Sequence, residues 1–94
     1  MPDRYSSFIQ LVQQWQENAH PFDQVESFFF REILPDQNPD RLRYHVEMHR
    51  MLKLIKADLA LLKASRSPSN RDKYAQQVKE RSVKLIELCQ ALLR

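Results

Sequence analysis

Not one of the 94 residues is glycine, and this absence removes more folds than any residue present could. Phosphate-cradling loops, dinucleotide fingerprints and two-residue hairpin turns all need backbone conformations that only glycine adopts cheaply. Helices joined by short polar or proline-bearing loops remain. A hydrophobic fraction of 43% fills one modest core at this length, so residues 1–94 read as a single all-α domain. A two-domain enzyme built around a cofactor does not fit, and no cofactor is expected. The single cysteine, Cys89, excludes an internal disulfide and a cysteine-based zinc site. It is expected to be an ordinary buried thiol in a reducing compartment, with the cytoplasm as the default location. The opening MPDRYSSFIQ lacks a basic segment followed by an apolar run, and no apolar stretch approaches membrane-spanning length, so neither export nor membrane insertion is expected.

The prolines divide the chain. Pro2 opens it, Pro21, Pro35 and Pro39 fall between helical patterns, and Pro68 sits in the connection RSPSN. Asp3 caps a first helix over about Arg4 to Asn18, with Tyr5, Phe8, Val12 and Trp15 on one face. A second helix runs from about Phe22 to Leu34. Asn38 and Pro39 start a third, which reaches roughly Ser65 and carries Tyr44, Met48, Met51, Ile55, Leu59 and Leu62 as its core stripe, with Leu52 beside them. Ser69 and Asp72 form a capping-box start for a fourth helix, whose stripe is Tyr74, Val78, Leu85, Leu88 and Leu92. The short RSPSN connection makes the two long helices antiparallel neighbours, and the N-terminal pair along one flank completes an antiparallel four-helix bundle.

Charge is polarised along the chain. Residues 1–40 carry −5 and residues 41–94 carry +8. On the third helix His45, His49, Lys53, Lys56 and Lys63 fall on one side of the core stripe and would form a continuous basic strip. The plainer alternative is an ordinary solvated face. Phe28, Phe29 and Phe30 are consecutive, so at about 100° per residue they spread wider than one buried stripe, and one ring should be left out. Beside Val25, Ile33 and Leu34 it would form an apolar patch suited to a partner or a homodimer. The alternative is a short helix sandwiched so that all three rings are buried. Leu54 and Leu61 widen the apolar arc of the third helix in the same way, and dimerisation is one use for them.

The residues offer several candidate chemical sites. His45 and His49 stand four apart, as helical metal ligands do, but no third and fourth ligand accompany them, so no metal is expected. Arg43 and His49 have the spacing of the Arg-His motif of HEPN ribonucleases, with Tyr44 where that family places a polar residue. The small helical chorismate mutases share this length but need a converging set of Arg and Lys that cannot be picked out here. Asp58 lies close to the core and needs a partner, for which Arg81 and Lys84 on the fourth helix are the candidates. Aromatics gather in the acidic half and bases in the basic half, so nucleic-acid binding is the alternative rather than the first reading.

Residues 45–93, with the run LKLIKADLALLKASRSP and the closing LIELCQALL, resemble the C-terminal hairpin of the small cyanobacterial PatD family. The opening RYSSFIQLVQQWQ and FFFREILP fit that family's aromatic-rich start. The resemblance implies a non-enzymatic regulator that acts on assembly of the cell-division GTPase FtsZ, with an effect on heterocyst frequency. It carries over no catalytic residues. The contact surfaces expected from the residues themselves are the strip of His45, His49, Lys53, Lys56 and Lys63 and the ring cluster Phe28 to Phe30.

Overall fold

A computed structural model describes residues 3–93; Pro2, expected to open the chain, lies outside the described residues. Four helical segments follow one another: α1 (Arg4–Gln16), α2 (Phe22–Phe28), α3 (Pro39–Ala64) and α4 (Pro68–Leu92). Directly after α2 the chain widens into a π-helical turn over Phe29–Ile33. All of the described structure is helical or loop, as expected from a chain without glycine.

The helix ends follow from local chemistry. Asp3 accepts the Tyr5 backbone N–H at 2.7 Å and so caps α1. The helix closes two residues earlier than expected, because Asn18 takes a left-handed conformation at φ 63°. Its N–H reaches the Trp15 carbonyl and the Ala19 N–H reaches that of Gln14, both at 2.9 Å. These are the paired bonds of a Schellman ending, with asparagine in the place where glycine is usual. Asn38 caps α3 by accepting the Asp40 N–H at 3.0 Å, and Pro39 occupies the first helical position. The expected capping box at Ser69 and Asp72 does not form. Pro68 already serves as the first residue of α4 after Ser67, which leaves Ser69 inside the helix.

The two long helices pack as an antiparallel hairpin; α1 lies on α4, and α2 with the π turn lies against α1. At about 1.5 Å per residue, the 26 residues of α3 run about 39 Å and the 13 of α1 about 20 Å. The N-terminal layer therefore covers only part of the hairpin. The core sits under it: Phe8, Val12, Phe29, Met48, Ile55 and Leu85 are all fully buried. Between Leu59 and Arg81 no residue is buried to that degree.

Both expected stripes are corrected by the observed burial. Tyr44, Leu59 and Leu62 on α3, and Tyr74, Val78, Leu88 and Leu92 on α4, are half-buried, while His45, Asp58, Ser82 and Cys89 lie in the interior. Ser82 is accommodated because its hydroxyl donates to the Val78 carbonyl one turn back, at 2.6 Å. Asp58 is ion-paired with Arg81, the partner expected for it, and the same guanidinium nitrogen donates to the Leu54 carbonyl at 3.3 Å. A nearly sealed carboxylate is thereby matched with a positive charge across the hairpin. Among the described residues no helix is long and apolar enough to cross a membrane.

Candidate partner-binding surface

His45 does not belong to a basic strip. It is 2% exposed and joins the start of α3 to the start of α1. The Tyr5 hydroxyl donates to Asp36 Oδ2 at 2.9 Å, which leaves its oxygen to accept from His45 Nε2 at 2.8 Å. Arg41 donates to the same Asp36 oxygen at 2.9 Å, and the Asn38 backbone N–H reaches Oδ1 at 3.1 Å. These two donors hold the Asp36 carboxyl down to about 2. Burial, helped by the Asp36 charge, pushes the Tyr5 phenol up to about 12. His45 Nδ1 has no hydrogen-bond partner among the described residues. Burial lowers the His45 pKa, outweighing the upward pull of Asp36. The network ties α1, the loop before α3 and α3 itself together.

His49, one turn on, lies in a different setting. Its ring centroid stands 5.7 Å from that of Phe29 and 5.2 Å from that of Phe30, with Phe30 meeting it edge-on. The two histidines therefore face different partners, and among the described residues no three His, Cys, Asp or Glu side chains gather as a metal site would require. Arg43 is stacked over the Tyr44 ring at 5.0 Å. Six residues of α-helix place it about 120° round the axis from His49, which separates Arg43 from His49.

The π turn explains the three phenylalanines. Val25, Phe29 and Ile33 are fully buried at successive intervals of four residues. In an α-helix each such interval drifts by about 40°. The wider turn, closed by the Leu34 N–H on the Phe29 carbonyl at 2.8 Å, removes that drift and keeps Ile33 under Phe29. Phe28 is half-buried, its ring stacked with Phe8 at 5.8 Å, and Phe30 is left 45% exposed. One ring stands out, as its spread round the helix implies, but Val25 and Ile33 are core and not part of the patch.

Lys53, Lys56 and Lys63 are all exposed along α3. Lys56, itself exposed, stands 3.6 Å from the partly covered Glu26 of α2. Leu42, Val46, His49 and Lys53 recur at intervals of four, three and four, so they share one stripe of the helix. Leu42 and Val46 are exposed, Val46 at 66%. The outer flank of α3 thus runs from an apolar end made by Phe30, Leu42, Val46 and the His49 ring into the lysine strip. The contribution of Leu42 and Val46 escapes a sequence reading that follows the buried stripe. Its signal is two aliphatic residues four apart on the opposite side of the helix. Leu61 is also exposed and Leu54 is half-buried. Cys89 is buried, and burial alone pushes its thiol up to about 12.

No family model matches this chain, and neither a curated protein nor a solved structure matches it.

Proposed function

We propose that the protein is a non-catalytic binding module that recognises a protein partner through the outer flank of α3. The observation that carries this reading is the edge contact of Phe30 with His49 at 5.2 Å. It joins a half-exposed aromatic ring to the head of a lysine strip, so that an apolar anchor and a field of one sign act on the same partner. In such a surface the charges govern encounter and salt dependence, and the anchor governs residence time. Among the described residues Phe30 is the one exposed phenylalanine, while Tyr5, Phe8 and Phe29 are buried in the core. A surface with a single stacking platform suits a protein better than a nucleic-acid strand.

The resemblance of residues 45–93 to the PatD family makes FtsZ the partner we propose, with modulation of its assembly, and through it of heterocyst frequency, as the role. The test is sedimentation of GTP-assembled FtsZ with the protein and with a variant carrying Phe30→Ser, Lys53→Glu and Lys63→Glu. Co-pelleting or altered polymer yield that fades with salt and is lost in the variant is the expected result. Equal behaviour of variant and parent would remove the α3 flank from the proposal; no effect of either at saturation would remove FtsZ.

A further inference from the structure

α1 stops at Gln16 while the hairpin runs on, and an open groove of about 590 Å³ lies where it stops. Leu59 of α3 and Ala75, Val78 and Val83 of α4 line it, with Trp15 at the end of α1 and Lys79 beside them. Trp15 does not fill it, since its ring is engaged with Phe22 at a centroid distance of 4.9 Å. The same faces continue toward the hairpin turn by helical spacing, through Leu62 on α3 and through Ala75 to Arg71 on α4, with Arg66 in the connection between them. This half of the hairpin lacks the third helix that α1 supplies to the other half. The segment from Leu59 to Arg81 carries six bases against two acids. Among the described residues Arg66, Arg71 and Lys79 make no ion pair.

We infer that the groove takes an acidic amphipathic helix of a partner protein, laid along the line α1 would follow if it were longer. Two antiparallel helices offer an apolar trough and no unpaired backbone edge, so the occupant is a helix seated by its aliphatic face and not an added strand. Lys79 on the trough wall and Arg71 farther along the same face of α4 call for Asp and Glu on that helix's flanks. The inference rests on the reading of the chain as a binding module, but it uses residues other than Phe30 and the lysines of the α3 flank.

The chain's one tryptophan lines the groove, so its emission reports occupancy there and not on the flank. The probe is a synthetic tryptophan-free peptide of about 14 residues, roughly 21 Å of helix, with leucine on one face and glutamate on the others. We expect a saturable change in Trp15 emission that weakens as salt is raised. The exposed positions Val83 and Lys79 allow substitution without loss of the core, so Val83→Glu and Lys79→Glu should each weaken the peptide tenfold or more while the helical circular dichroism is kept. Phe30→Ser with Lys53→Glu should leave the titration unchanged, which separates failure here from failure of the α3 flank. No response at saturating peptide, or an equal response to a scrambled or a lysine-for-glutamate peptide, would overturn the inference. So would a stronger response to single-stranded RNA, or self-association abolished by Val83→Glu, which would make a second copy the occupant.

Discussion

The buried network at His45 makes acid sensitivity the sharpest test of the structure. An unfolded histidine titrates near 6.5, and burial places the folded value of His45 below that. Above 6.5 neither state binds the proton, so this residue leaves stability unaffected. As the pH falls below 6.5 the unfolded chain takes up a proton that the folded one refuses, and stability drops with a limiting slope of about 1.4 kcal/mol per pH unit. The loss stops growing once the folded pKa is passed. The charged groups around the ring are Asp36, reached through Tyr5, Arg41 on that carboxylate, and Arg4. With its pKa held near 2, Asp36 stays ionised throughout this window, and its own contribution is lost only further down, as the pH falls through and below the usual carboxylate range. His45→Gln keeps an amide donor for the Tyr5 oxygen and removes the titrating ring, while His20 and His49 remain in both proteins. Urea unfolding followed by circular dichroism across the range from pH 7 to 5 should show a midpoint that falls for the parent more steeply than for the variant. Parallel curves would refute the reasoning, because they would mean that His45 accepts its second proton inside the folded protein.

Two further substitutions test the packing. Phe29→Ala removes a sealed ring and should cost about 3 to 5 kcal/mol, whereas Phe30→Ala one residue on should cost less than about 1 kcal/mol; similar values from denaturant melts would show that the π turn is misplaced. Asp58→Ala leaves Arg81 without its partner beside the core and should cost about 2 to 3 kcal/mol, somewhat less than for a fully sealed pair because Arg81 is partly exposed. A loss below about 0.5 kcal/mol would show that solvent already reaches the pair.

Helix number, order and antiparallel pairing were legible because they depend on signals local in the sequence: Asp3 and Asn38 as caps, Pro39 at a helix start, and leucines at three- and four-residue spacing. The Asp58–Arg81 pair was legible for a similar reason, since a carboxylate on an apolar stripe must find a cation across the hairpin. The extent of the core was not. Leu59, Leu62 and Val78 look like core residues by spacing, and only the relative lengths of α1 and α3 in three dimensions show that they are covered in part. His45 was misassigned because its burial depends on Tyr5, forty residues away, and helical spacing alone puts it next to the lysines. Half of the candidate surface, Lys53, Lys56, Lys63 and Phe30, stood where the residue pattern put it. Leu42 and Val46 did not figure because a buried-stripe argument discards the opposite face.

The π turn has a genetic consequence. Val25, Phe29 and Ile33 are spaced by four and four, and loss of the codon for Phe30 would make that spacing four and three, which an ordinary α-helix accommodates with the same three residues inward. Phe30 is thus the added residue that the wide turn makes room for. A one-codon deletion or insertion at this point would remove or restore the exposed ring with little rearrangement beneath it, so the anchor and the core can vary independently in descent.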